Sequence, residues 1–114
     1  EGDGPYTIKV CQNDSDDAYN QQLVIDDDIF NNLVIKAVNK NKPYKIKVDD
    51  EVPIIIDDVD DVTIKGAIID TNERGIEFRN NIDGFVLSDV NITSDKCGVY
   101  KAHTNNTFLS SFKM

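Results

Sequence analysis

The residues best suited to contact a sugar are a carboxylate, a guanidinium and a phenol ring at regular spacing. Glu77 and Tyr100 are separated by the interval at which other parts of the chain repeat, and Arg79 follows Glu77 by two. Charged hydrogen-bonding groups beside an aromatic ring suit a sugar surface. If that interval is a structural repeat, these side chains share one outward face, with Lys101 beside them. We therefore predict a glycan-binding face of Glu77, Arg79, Tyr100 and Lys101, with an ordinary solvated face as the alternative.

Catalysis by this face is not predicted. Glycoside hydrolysis requires two carboxylates about 5–10 Å apart across the scissile bond. Glu77 has no second acid at matched spacing, so we assign no catalytic residue to this chain.

Aspartate clusters recur along the chain, and the densest surrounds Val59. Calcium takes six to eight oxygen ligands, which closely spaced carboxylates and turn carbonyls can supply. No cluster has the spacing of the EF-hand loop or of the Gly-rich nonapeptide calcium repeat. The alternative is that these aspartates form turns by bonding to their own backbone. The calcium site that we predict consists of Asp57, Asp58, Asp60 and Asp61, and no other cofactor is expected.

The remaining metal-binding residue types are sparse. His103 is the only histidine, and Cys11 and Cys97 are the only cysteines. This set is too small for a structural zinc site or a catalytic triad. If the chain is a stack of coils, the cysteines lie at least ~14 Å apart along it, which is too far for a disulfide.

The elements that would position these residues are short strands repeated at a fixed interval. Residues 62–67 match residues 85–90 at a shift of 23, and residues 107–112 follow at a shift of 22. Gly75 and Gly98 keep the first of these shifts, and we expect them at a tight bend that needs positive φ. Strand-like triplets separated by Asn, Asp and Gly at this period are typical of a β-solenoid.

The repeat predicts which side chains stack inside the coils, because alternate strand residues point inward. The predicted stacks are Val62–Phe85–Thr107, Ile64–Leu87–Leu109, Ala67–Val90–Phe112, Ile69–Ile92 and Ile76–Val99. A helix over residues 19–37 is the competing interpretation of the apolar spacing there. The aspartates, asparagines and β-branched residues of that window argue against it.

The pattern resembles a known group of proteins. Residues 6–10 and 19–25 resemble the first coils of pectin-lyase-like, right-handed parallel β-helix proteins. Residues 61–64 and 74–78 are similar to repeats of carbohydrate-binding and sugar-hydrolase β-helices and of NosD-type periplasmic copper-binding proteins. The resemblance implies an all-β, right-handed parallel β-helix of four to five coils. From the length we expect a single domain, residues 1–114, with irregular coils over 1–58 and regular coils over 59–114.

The charge and composition of the chain limit the classes of partner and the locations that we expect for it. The net charge is −9, and such a surface repels nucleic acid and anionic lipid. No apolar run approaches the length of a membrane span. Three glycosylation sequons, at Asn13, Asn91 and Asn105, favour a secreted or cell-surface location. We also expect the chain to be the N-terminal part of a longer protein, because its final repeat is incomplete.

The function predicted is a non-catalytic scaffold that engages glycans or other protein subunits. End-on self-association is expected, because an open solenoid end exposes unpaired backbone groups. Two alternatives stay open: the first coils of a polysaccharide lyase, hydrolase or esterase whose catalytic residues lie elsewhere, and a NosD-like metal-handling protein.

Overall fold

The chain folds into short β-strands with nearly no helix. The computed structural model describes residues 6–12, 18–27, 30–39, 41–80, 82, 84–102 and 109–111. The strands are β1 (Tyr6–Val10), β2 (Leu23–Ile25), β3 (Leu33–Ala37), β4 (Tyr44–Lys47), β5 (Ile54–Asp57), β6 (Thr63–Lys65), β7 (Ala67–Thr71), β8 (Ile76–Arg79), β9 (Phe85–Ser88), β10 (Asn91–Ser94), β11 (Val99–Ala102) and β12 (Leu109–Ser111). Strands β2 and β3 occupy the window where a helix was the alternative, so that alternative is wrong.

The strands form three parallel sheets. Sheet A has the order β1-β3-β6-β9-β12, sheet B has β10-β7-β4, and sheet C has β11-β8-β5-β2. Each sheet takes one strand from each successive coil, which makes a β-solenoid of about four coils. In the first coil a single bridge from Tyr19 to Ile46 stands in place of a strand of sheet B. The prediction of an all-β parallel solenoid is confirmed.

Coil length separates the irregular part of the chain from the regular part. In sheet A, Tyr6 pairs with Leu33 and Val34 pairs with Thr63, so the numbering advances by 27 and then by 29 between coils. Thr63 pairs with Val86, which is a shift of 23. The same shift relates β4 to β7, β7 to β10 and β8 to β11. The regular part therefore has the coil length that the repeat predicts.

The core is a column of aliphatic and aromatic side chains inside the coils. Ile64 pairs with Leu87, Ile69 with Ile92, and Ile76 with Val99, as the repeat predicts. Two further predicted stacks are buried and directly precede paired residues. Val62 and Phe85 precede the pair Thr63–Val86, and Ala67 and Val90 precede the pair Ile68–Asn91. The rings of Phe78 and Phe85 meet edge-to-face inside this column, with centroids 4.6 Å apart.

The predicted position of Leu109, the third residue of the Ile64–Leu87 stack, is wrong. Leu109 pairs with Phe85 and not with Leu87, which is a shift of 24, where the repeat predicts 22. The register then shifts, and Ser111 pairs with Val86. A leucine followed by two serines fits either register by pattern alone, because inward and outward positions recur every second residue. Thr107 and Phe112 lie outside the described residues.

Left-handed residues turn the chain at the corners. Asn32, Asp61 and Gly84 have φ of 66°, 57° and 78°, and each comes just before the buried residue that leads into a strand of sheet A. Asp58 and Asn80 take the same conformation after sheet C. Asparagine and aspartate adopt this region more readily than other side chains. The recurring asparagines and aspartates therefore supply the left-handed backbone conformation that the corners require.

Gly75 and Gly98 recur at one corner, but not for the predicted reason. Neither has positive φ. A Cβ at Gly75 would lie 2.5 Å from the carbonyl oxygen of Gly98 and 2.5 Å from the side chain of Ile92. The amide of Gly75 donates to the carbonyl of Cys97 in the next coil. Close contact between stacked coils, and not the bend, requires glycine at this position.

Candidate functional site

Three of the four predicted glycan-face residues, Glu77, Arg79 and Tyr100, lie on the outer face of sheet C. Glu77 in β8 pairs with Tyr100 in β11, and Arg79 lies two residues along the same face. On the other side of β8, Glu77 pairs with Ile55 of β5. The structure therefore brings Glu77, Arg79 and Tyr100 together. The backbone of Lys101 pairs with that of Phe78, one residue beyond the Glu77–Tyr100 pair.

The geometry of this group is a carboxylate held by two guanidinium groups. Arg79 Nε donates to Glu77 Oε2 at 2.6 Å, and Arg74 Nη1 donates to Glu77 Oε1 at 3.3 Å. The guanidinium carbon of Arg74 lies 3.6 Å from the centroid of the Tyr100 ring. The Glu77 side chain is 8% exposed, whereas those of Arg74 and Arg79 are 38% and 47% exposed.

This arrangement limits what the face can bind. Both carboxylate oxygens of Glu77 already accept hydrogen bonds, and Arg74 covers one side of the Tyr100 ring by a cation–π contact. Glu77 is the single carboxylate in these contacts. The group therefore has the character of a clamp that joins β8 to β11, and a sugar ligand on it stays a prediction. Sequence reasoning missed Arg74, whose role depends on the corner that brings it over Tyr100.

The four aspartates predicted to bind calcium occupy a corner of the solenoid. Asp58 and Asp61 have positive φ, and the Asp57 carboxylate accepts a 2.7 Å hydrogen bond from Asn80 Nδ2. The amide of Asp60 donates to Asn31 Oδ1. Across the described residues, no three His, Cys, Asp or Glu side chains are grouped so as to hold a metal ion. Turn formation accounts for these residues, and calcium binding stays a prediction.

The other predicted positions are only partly described. Asn91 is exposed at the start of β10. Cys11 and Cys97 are free and exposed. Asn13, Asn105 and His103 lie outside the described residues.

A lysine groove on the outer face of sheet A is a feature that sequence reasoning missed. Lys9 pairs with Lys36, Lys36 with Lys65, and Lys65 with Ser88, across four neighbouring strands. A groove of about 420 Å³ runs along them. The lysines follow one another at shifts of 27 and 29, so a search at a period of 23 does not align them. The signal that could have found them is the lysine or serine near the end of each sheet-A strand.

The first coil leaves an apolar cavity at the end of the core. Its volume is about 240 Å³, and Leu23, Ile35, Tyr44, Ile54 and Ile64 are among the residues that line it. Tyr44 is 2% exposed, and burial raises the pKa of its phenol above the ordinary range.

Comparison of the chain with protein-family models, with curated proteins and with solved structures gives no match. The solenoid fold therefore stands on the strand pairing itself. Among the residues that the structure describes, no helix has the length and apolar character needed to cross a membrane.

Proposed function

We propose that the chain is a non-catalytic β-solenoid scaffold, on a secreted or cell-surface protein, that packs end-on against a second copy of itself. The surface involved is the first-coil end, defined as Tyr6, Ile8, Leu23 and the apolar cavity that Leu23 helps to line. Glycan engagement by the Glu77 group is the less favoured half of the prediction, because the groups that would contact sugar are occupied by one another.

The proposal rests on the difference in side-chain exposure between first-coil residues and the residues stacked on them in the next coil. Ile8 pairs with Ile35, and Leu23 pairs with Ile54. Ile8 and Leu23 are 47% and 36% exposed, whereas Ile35 and Ile54 are 5% and 1% exposed. The first coil therefore presents core side chains to solvent. Burying one such side chain contributes roughly 1 kcal/mol, since about half of it is already covered.

The strand edges at the same end support end-on contact. β1 is the outermost strand of sheet A, and β2 is the outermost strand of sheet C, in the part of the chain that the structure describes. Exposed strand edges carry unpaired N–H and C=O groups, which favour pairing with another strand. An apolar end layer bordered by two open edges suits another solenoid end, and a second copy supplies one.

Sedimentation velocity over a concentration series tests this proposal. The parent chain is expected to dimerise, and Ile8→Lys is expected to remain monomeric, because it places a charge in the contact. Val38→Lys is the matched control, since Val38 is 59% exposed and lies outside the first-coil end. A parent chain that stays monomeric throughout, or equal loss of dimer in both variants, contradicts the proposal.

A further inference from the structure

Lys9, Lys36 and Lys65 form a ladder of like charges on the outer face of sheet A. Each lysine pairs directly with the next one on the neighbouring strand, and Ser88 continues the row. Neighbouring strands lie about 4.8 Å apart, so the three backbone positions span roughly 10 Å along the solenoid. Like charges directly opposite each other in a sheet are destabilising. A negative charge beside the row would therefore stabilise it.

The described residues do not supply that charge. Arg74, Arg79, Lys47 and Lys96 each form an ion pair with an aspartate or glutamate. In the same described part of the chain, no ion pair joins a carboxylate to any of the three ladder lysines. The ladder is thus an uncompensated basic strip on a protein whose net charge is −9.

The ladder lies in a groove and not on a flat surface. Ala37, Val38 and Gly66 form part of its lining, and the Val38 amide donates to the carbonyl of Val10 on the neighbouring strand. Lys9 and Lys65 are exposed, and Lys36 is half-buried between them. Asp89, beyond Ser88, places a carboxylate at one end of the groove. An anion is therefore favoured along the lysines and disfavoured at the Asp89 end.

We propose that this groove binds a ligand that carries two or more phosphate or sulfate groups. A lysine ammonium is a compact point charge with rotatable donors, whereas arginine presents a planar fork that matches a carboxylate. Three ammonium groups from successive strands can approach different oxygens of tetrahedral anions, and the Ser88 hydroxyl can donate a further hydrogen bond. Lys9 belongs to β1, whose edge borders the first-coil end, but the ladder runs along the outer face of sheet A. Anion binding by the groove therefore does not require the proposed self-association.

Isothermal titration calorimetry with the whole chain tests the site. The probes are tripolyphosphate, a sulfated heparin disaccharide, inorganic phosphate and a neutral disaccharide. We expect tripolyphosphate or the sulfated disaccharide to bind more tightly than inorganic phosphate, and the neutral sugar not to bind. The tighter of the two multivalent probes distinguishes a phosphate-bearing from a sulfate-bearing ligand. Binding should weaken as salt rises, because the lysines are largely exposed.

The decisive variant is Lys9→Gln/Lys36→Gln/Lys65→Gln. An exposed charge pair contributes modestly, so each lysine removed should weaken binding roughly two- to fivefold. The triple variant should therefore lose roughly ten- to a hundredfold in affinity.

A charge-matched control separates the groove from overall charge. Lys45→Gln/Lys47→Gln/Lys96→Gln removes three lysines elsewhere, so both triple variants change the net charge from −9 to −12. The control should bind the multivalent probe within about twofold of the parent. Absence of binding to the parent, or equal loss in the two triple variants, overturns the proposal. Circular dichroism of each variant checks that it retains the fold.

Discussion

Ile64 offers the sharpest test of how the core is stabilised. Its side chain is 0% exposed, and it lies between Ile35 in the coil on one side and Leu87 in the coil on the other. Ile64→Ala removes about three methylene-sized groups at about 0.8 kcal/mol each, or roughly 2.4 kcal/mol. The cavity left between two coils adds to this, so we expect a loss of roughly 3–4 kcal/mol in the free energy of unfolding.

Ile68 is the matched control for this substitution. It is half-buried on the outer face of β7, close to Ile64 in the chain, where it pairs with Lys45 and Asn91. Ile68→Ala removes the same atoms without creating an enclosed cavity, so we expect a loss of about 1 kcal/mol. Urea unfolding followed by circular dichroism measures both variants. Losses that are equal within about 0.5 kcal/mol would refute the inward assignment of Ile64.

Three other substitutions test separate features by urea unfolding. Gly84→Ala should destabilise the fold by roughly 1–3 kcal/mol, because φ is +78° and the new Cβ would overlap the Asp61 carboxylate; a variant as stable as the parent contradicts this account of the corner. Burial raises the pKa of Tyr44 in the folded chain, so the neutral phenol is favoured by folding. Its contribution to the free energy of unfolding is complete below about pH 10 and is lost as the pH rises further. Tyr44→Phe should therefore lose less stability than the parent between about pH 8 and about pH 11, and equal losses would show that Tyr44 ionisation is irrelevant. Glu77→Gln should cost roughly 1–2 kcal/mol, because two partly exposed arginines lose their buried anion; an unchanged midpoint would exclude the clamp.

Much of the fold could be predicted from the sequence because stacked coils repeat the same environment. Ile64 and Leu87 have the same burial and the same strand direction, so selection for an aliphatic residue recurs at a fixed interval. The pairing of Glu77 with Tyr100 follows from the same interval.

The remaining features of the fold and the candidate sites depend on coil lengths and corner contacts, which a fixed sequence period does not specify. The early coils are longer than the later ones because their corners carry extra residues, and this hides the alignment of Lys9, Lys36 and Lys65. Arg74 donates a hydrogen bond to Glu77 from a corner of the coil, a contact that the strand spacing does not indicate. The residue type of Gly75 predicts a bend with positive φ, whereas the structure requires glycine there because a Cβ would overlap the Gly98 carbonyl oxygen and the Ile92 side chain.

The most direct test of the stacked-coil register is a pair of engineered cysteines. Thr63 and Val86 pair on the outer face of sheet A, so their Cα atoms lie within the range that a disulfide can join. With Cys11 and Cys97 replaced by serine, Thr63→Cys/Val86→Cys should form an intramolecular disulfide on mild oxidation, as measured by mass spectrometry. Thr63→Cys/Ser88→Cys, displaced by two residues, should not. Cross-linking of the displaced pair in preference to the matched pair would contradict the register on which the fold depends.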